Sequence, residues 1–173
     1  MAAEDLKAKI RDVPDFPEPG IVFKDIMPLL GDPKSLHEAV ELLAEWVEPR
    51  RPDVILGAEA RGFILGAALA YNLNCGFVAA RRPGKLPWKT VSASYALEYG
   101  ENALELHADA IASGARVLVH DDVLATGGTA GAICDLAEQL GGEIVGVAFV
   151  IELGFLEGTR QLEGRDVHSL IHY

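Results

Sequence analysis

Arg116-Val117-Leu118-Val119-His120-Asp121-Asp122-Val123-Leu124-Ala125-Thr126-Gly127-Gly128-Thr129 joins an apolar strand to two carboxylates, a Thr/Gly loop and the start of a helix. Each part implies a chemistry. The loop glycines let backbone N–H groups approach an anion, Thr126 and Thr129 add hydroxyl donors, and the following helix aims its positive dipole end at the same place. Together they make a cradle for one phosphate. Asp121 and Asp122 would repel a phosphate bound between them, but as acceptors they suit two neighbouring hydroxyls, such as the 2′- and 3′-OH of a ribose. Phosphate beside diol describes ribose 5-phosphate. The segment is neither a Walker loop, which needs Lys after its last Gly, nor a GxGxxG dinucleotide turn.

Strands and helices alternate outward from this segment. Residues 4 to 12 read as a short helix, broken by the Pro-rich stretch Pro14 to Gly20 before Ile21-Val22-Phe23 runs extended. Asp32 suits an N-cap with Pro33 at the first helical position. Leu36, Val40, Leu43 and Val47 then repeat at helical spacing until Pro49. Val54-Ile55-Leu56 and Phe77-Val78-Ala79-Ala80 read as buried strands on either side of a helix from about Phe63 to Leu73, and Val91 to Leu106 alternates as a hairpin turning near Gly100. Val117-Leu118-Val119 is a third buried strand, Ala130 to Leu140 its helix, and Ile144 to Ile151 a fourth strand. This order predicts an α/β fold in one domain over residues 1–173, with a mostly parallel sheet flanked by helices. Such sheets bind ligands at the carboxyl ends of their strands. The polar loops 59–62, 81–85 and 121–129 would therefore converge on one rim.

With 173 residues, half of them hydrophobic, the chain can bury a proper core. A net charge of −11 argues against a nucleic-acid or anionic-membrane surface, so a phosphorylated ligand must meet local positive charge. The longest apolar run, Phe63 to Tyr71, is far shorter than the roughly 20 residues that span a bilayer, and acids stand in Met1 to Lys7 where a signal peptide wants an apolar block. A cytoplasmic location is expected. Cys75 and Cys134 lack CxxC spacing or neighbouring His, which predicts buried thiols rather than a disulfide or zinc site.

Val117 to Thr129 resembles the phosphoribosyl-pyrophosphate fingerprint of the type I phosphoribosyltransferases. The resemblance covers nearly the whole chain. Phe16 to Ile26, Glu59-Ala60-Arg61-Gly62-Phe63, Arg82-Pro83-Gly84-Lys85-Leu86-Pro87 and Tyr95-Ala96-Leu97-Glu98-Tyr99-Gly100 are similar, in order, to blocks of the adenine phosphoribosyltransferase family. The related hypoxanthine-guanine enzymes carry an acid near the middle of the phosphate loop, where this chain has Ala125.

The resemblance implies the type I phosphoribosyltransferase fold with two additions: an N-terminal base-covering segment (1–31) and a flexible hood hairpin (82–106). It implies that adenine and phosphoribosyl pyrophosphate give AMP and pyrophosphate, with Mg²⁺, in purine salvage, and that the enzyme is a homodimer. Mg²⁺ should sit among diphosphate oxygens, ribose hydroxyls and water, with no direct protein ligand, because the ion keeps much of its hydration. Arg61 and Lys85 would neutralise charge on the leaving diphosphate, and Arg81 would serve the same end, reaching across a dimer interface. Asp121 and Asp122 would hold the ribose, and Ala125, Thr126, Gly127, Gly128 and Thr129 the 5′-phosphate. Glu98 is the candidate proton acceptor for adenine, or the group that positions it, beside Tyr99 in the hood. Val22, Phe23, Lys24 and Val123 would read the base, the first and third through backbone groups. Lys24 lacks the planar fork of Arg, which favours a backbone role there. His120, where an apolar residue is expected, reads as a structural histidine, and Trp46 and Phe63 as core. Trp88 and Lys89 fall with the lid. Two other functions are weighed: a xanthine or hypoxanthine phosphoribosyltransferase, and a non-catalytic sensor of phosphoribosyl pyrophosphate on the same fold. The sensor would control nucleic acid, and neither an attached helix-turn-helix nor a basic surface is present for that.

Overall fold

The computed structural model describes residues 2–96 and 101–173. Five strands form the central sheet: β3 (Val54–Ala58), β4 (Gly76–Ala80), β7 (Arg116–Leu124), β8 (Glu143–Glu152) and β9 (Val167–His172), in the spatial order β4-β3-β7-β8-β9. Every neighbouring pair is parallel. Parallel pairing needs covered faces, and successive residues of β7 point to opposite sides. Leu118 packs into a core with α1 (Ala2–Lys7), α2 (Met27–Gly31), α3 (Pro33–Val47) and α4 (Gly62–Asn72), through Leu6, Leu29, Leu43 and Leu69. Val117 and Val119 pack on the other side against Ile133, Leu136 and Ala137 of α5 (Gly128–Gln139).

Two antiparallel hairpins frame the carboxyl end of the sheet. One pairs β1 (Arg11–Pro14) with β2 (Val22–Asp25), and the other pairs β5 (Thr90–Ala96) with β6 (Glu101–His107) from Thr90↔His107 to Ala96↔Glu101. The second hairpin lies against α5, where Leu104, Leu106 and Tyr95 join the same core as Ile133. An isolated bridge from Arg81 to Glu105 ties it to the end of β4.

The α/β architecture with its parallel sheet agrees with the sequence reading, with local differences. The first helix ends at Lys7 rather than continuing to residue 12, because Arg11 to Pro14 pairs with β2 and the Arg11 guanidinium binds Asp25 at 2.6 Å. Four residues of cross-strand pairing and an ion pair outweigh the weak helical tendency of a short segment. Strand β9 was not expected, since His168, Ser169 and His172 interrupt its apolar residues; it is an edge strand, paired on one side only with β8. Asp32 does precede α3, where its carboxylate accepts a 2.6 Å hydrogen bond from Ser35 Oγ.

Candidate functional site

The third strand runs further than its apolar residues suggest. β7 continues through Asp121 and Asp122 to Leu124, so the two acids stand inside a strand and not in a loop. Neighbouring strand residues face opposite ways, which divides the pair. Asp122 is 4% exposed and forms an ion pair with Arg61, the residue before α4. Asp121 Oδ1 accepts the Asp122 N–H at 2.8 Å and borders both the main cleft and the phosphate loop. Burial, reinforced by the Asp122 charge, raises the Asp121 carboxyl well above the ordinary carboxylate range.

Ala125, Thr126 and Gly127 turn the chain from β7 into α5, enclosing a small hollow of about 60 Å³ together with Asp121, Thr129 and Phe149. Gly127 caps the helix at φ +84°, a left-handed conformation that glycine adopts freely. The helix therefore begins at Gly128, two residues before the expected Ala130, and its first N–H groups open onto the hollow.

The main cleft, about 530 Å³, brings together most of the expected residues: Val22, Phe23, Lys24, Arg61, Asp121, Asp122, Val123, Ala125 and Thr129. Phe23 offers an apolar wall, edge-on to Phe16 at 5.3 Å, with the Arg61 guanidinium 5.1 Å above its ring. The Lys24 side chain is drawn aside: its Nζ lies 2.6 Å from Asp12 and 4.0 Å above the Tyr173 ring. What remains of Lys24 for the cleft is mainly its backbone.

The basic loop after β4 is held by Glu59, which was not singled out from the sequence. Its buried carboxylate accepts from Arg81 Nη2 at 2.7 Å, Arg81 Nε at 3.0 Å and the Arg82 backbone N–H at 2.8 Å. The Arg82 backbone bond lowers the Glu59 pKa, and the Arg81 and Arg82 side chains add to the effect against the cost of burial. Arg81 is thus engaged within this chain, and Arg82, not Arg81, borders the cleft. Lys85 is exposed on the loop, its backbone N–H donating to the carbonyl oxygen of the cleft-lining Arg82 at 3.3 Å. Glu98 and Tyr99 lie outside the described residues. Trp88 and Lys89 are exposed between the basic loop and β5.

Tyr95 belongs to the segment Tyr95 to Gly100, and its sequence context assigns it no role of its own. In the structure it meets Thr129 of the phosphate loop at 3.0 Å. Its position opposite Asn102 in an alternating hairpin signalled only which face it shares. His120 is fully buried, its Nδ1–H donating to the Ala148 carbonyl oxygen at 3.0 Å, which agrees with a structural histidine; burial pushes its pKa down to about 4. Trp46 and Phe63 are only partly buried: Trp46 stacks on His168 at 4.9 Å, and Phe63 meets Phe77 edge-on at 5.8 Å. Both cysteines are free thiols, Cys134 buried in α5 and Cys75 partly so. No helix among the described residues is long and apolar enough to cross a membrane, and no group of three or more His, Cys, Asp or Glu is placed there to hold a metal ion.

The phosphoribosyl transferase domain model matches residues 29–167. An adenine phosphoribosyltransferase from Rubrobacter xylanophilus is 57% identical over 169 residues, covering 97% of this chain and 91% of that protein. The crystal structure of the adenine phosphoribosyltransferase from Thermoanaerobacter pseudethanolicus superposes with a TM-score of 0.97 at 50% identity, covering 99% of each chain. The Saccharomyces cerevisiae enzyme, solved with an iminoaltritol bisphosphate and adenine, gives a TM-score of 0.94 at 37% identity, covering 98% of each chain. A parallel sheet with a Thr/Gly loop following its central strand, matched nearly end to end by these relatives, settles the family: the chain belongs to the type I phosphoribosyltransferases, among the adenine phosphoribosyltransferases.

Proposed function

We propose that this cleft performs the reaction of that family, transfer of the 5-phosphoribosyl group from phosphoribosyl pyrophosphate to N9 of adenine, giving AMP and pyrophosphate in purine salvage. One observation carries the reading. Asp121, Asp122, the loop residues Ala125 and Thr129 and the apolar slot of Val22, Phe23 and Val123 line one 530 Å³ cleft, and Asp121, Ala125 and Thr129 also border the 60 Å³ hollow of the phosphate loop.

The bond from the anomeric carbon to diphosphate oxygen breaks as the bond to N9 forms, and the N9 proton leaves. The departing diphosphate takes the electron pair, so cations must face it. Arg61 and Arg82 border the cleft, and Lys85 and Arg81 belong to the adjoining basic loop. The cradle's N–H groups and the Thr126 and Thr129 hydroxyls hold the 5′-phosphate, while Asp121 and Asp122 hold the ribose. Adenine lies against Phe23 and Val123, with backbone groups of Val22 and Lys24 reading its edge. Glu98 accepts the proton or positions the base.

Mg²⁺ neutralises the diphosphate when bound. Asp122 pairs with Arg61 and Asp121 accepts the Asp122 N–H, while both acids also serve the ribose, which fits an ion carried on substrate oxygens and water. A homodimer in the cytoplasm completes the reading.

The test offers phosphoribosyl pyrophosphate and Mg²⁺ with adenine, hypoxanthine, guanine or xanthine singly. AMP formation from adenine alone is expected. Turnover of an oxopurine instead would move the assignment to the xanthine or hypoxanthine enzymes, and tight binding with no turnover of any base would favour the sensor.

A further inference from the structure

The hairpin β5–β6 touches the phosphate loop at one polar contact. Thr129 Oγ1 and Tyr95 Oη are hydrogen-bonded at 3.0 Å, and the same ring lies against Gly128, where an added Cβ would come within 3.1 Å of ring carbon Cδ2. Tyr95 therefore stands between two spaces. On one side is the main cleft; on the other is a groove of about 300 Å³ bounded by Ser94, Ala96, Thr126, Gly128 and Gln161. Tyr95 is only three residues before Glu98 in the chain.

The hydrogen count of Thr129 makes this contact conditional. A threonine hydroxyl has one proton to give and two lone pairs to offer. With the cradle empty, either hydroxyl of the Tyr95–Thr129 pair can donate to the other. A phosphate in the cradle is the stronger acceptor and claims the Thr129 proton, since hydrogen bonds to ionised oxygens are shorter and about twice as strong as neutral ones. The Tyr95 phenol can then keep its place only as the donor, to Thr129 Oγ1. A chain from phenol to hydroxyl to phosphate is polarised along its length, which strengthens each bond.

We infer that Tyr95 is a positioning residue that couples the hairpin to the 5′-phosphate cradle: the phosphate takes the Thr129 proton, makes the Tyr95 phenol the donor and tightens the Tyr95–Thr129 hydrogen bond, fixing the hairpin over the bound sugar. The inference rests on the cradle assignment above. Among the described residues the same phenol has no partner of this kind at Glu59 and the basic loop, where the pyrophosphate would lie. Its effect is thus confined to ligands that carry the sugar phosphate.

Tyr95→Phe keeps the ring on Gly128 and removes only the hydroxyl. Calorimetric titration of the whole enzyme with ribose 5-phosphate and, separately, pyrophosphate reads the coupling. We expect Tyr95→Phe to weaken ribose 5-phosphate by about five- to tenfold and to leave pyrophosphate unchanged. In steady-state assays the KM for phosphoribosyl pyrophosphate should rise while that for adenine stays. Adding Tyr95→Phe to Thr129→Val should cost nothing further, because the phenol acts through the hydroxyl. Equal weakening of both ligands, unchanged ribose 5-phosphate binding, or additive effects of the two substitutions would each overturn the inference. Failure of the unsubstituted enzyme to bind ribose 5-phosphate at all would instead remove the cradle assignment beneath it.

Discussion

Arg61 and Asp122 are joined across the floor of the cleft, the first entering α4 and the second buried in β7. Asp122 is nearly inaccessible, whereas the Arg61 side chain is about half exposed, 47%. The pair orients a cation at the cleft over a buried carboxylate. Arg61→Ala leaves that carboxylate buried without its partner, and a loss of about 1–2 kcal/mol of stability is expected, below the value for a fully buried pair because the guanidinium is half hydrated. Urea unfolding measures it. Asp122→Asn keeps the shape but weakens the hold on both the ribose and Arg61, and kcat/KM for phosphoribosyl pyrophosphate should fall by ~10- to 100-fold. An unchanged kcat/KM would remove Asp122 from the ribose site.

Glu59 organises the basic loop, and neutralising it should loosen Arg81 and Arg82 together. Glu59→Gln can still accept the Arg82 backbone N–H but loses the charge facing two guanidinium groups. Pyrophosphate affinity should drop by about tenfold, with ribose 5-phosphate affected less. The lowered pKa of Glu59 gives the direction with pH: its contribution is fully present above the ordinary glutamate range and is lost only as pH falls through the lower folded value. Loop grip should therefore hold steady from neutrality down through mildly acid solution. A titration of pyrophosphate affinity near pH 5 that already shows the Glu59-dependent part lost would contradict this.

The part of the site that lies along one stretch of chain was legible in the sequence; the part made by distant stretches was much less so. Asp121 to Thr129 carries its chemistry in consecutive residues, so its strand-turn-helix form follows from local preferences, with errors only in where β7 ends and α5 begins. Glu59 and Arg81 are separated by a helix and a strand, and only the parallel pairing of β3 with β4 sets them side by side. The Tyr95–Thr129 contact likewise requires the hairpin to fold back onto α5. Arg11 to Pro14 was misread because its partner β2, not its own composition, makes it a strand.

His120 predicts an acid-dependent loss of stability. Its folded pKa is about 4 against an ordinary 6.5, so the imidazole is neutral in the fold and protonates more readily when the chain unfolds. Stability is then at its full value above pH 6.5 and declines as pH falls toward 4. Between pH 6.5 and 5 the loss amounts to about 2 kcal/mol at most. His120→Val removes the titrating group, and whatever packing it changes should shift the curve without a slope of that origin. Chemical unfolding of both proteins at pH 7.5, 6.5, 5.5 and 5.0 checks it; parallel slopes would show that His120 does not carry the effect.

Base recognition separates Phe23 from Lys24. Phe23 walls the cleft, and Phe23→Ala should raise the KM for adenine by about tenfold through lost contact with a planar heterocycle. The Lys24 ammonium is bound to Asp12 and Tyr173 instead, so Lys24→Met should change adenine KM by less than about threefold while loosening the N-terminal hairpin. A larger effect from Lys24 than from Phe23 would place that side chain in base binding after all.

Gly127 sets the shape of the phosphate cradle, and its replacement is the most severe change expected. The residue has φ +84°, and a Cβ there would collide with the Gly158 carbonyl oxygen and come within 2.9 Å of Gln161 Cβ. The collision is with backbone, which cannot turn aside as a side chain can. Gly158 is itself packed against the Ala125 carbonyl oxygen, so movement there is also opposed. Gly127→Ala must either shift the loop, which misdirects the N–H groups at the start of α5, or push away the turn at 158–162. The first route should cost more than 100-fold in phosphoribosyl pyrophosphate affinity, and the second should lower stability by about 2–4 kcal/mol. Binding and unfolding measured on the same preparation distinguish the two routes. A Gly127→Ala protein with both properties intact would mean that the cradle is not shaped by this contact.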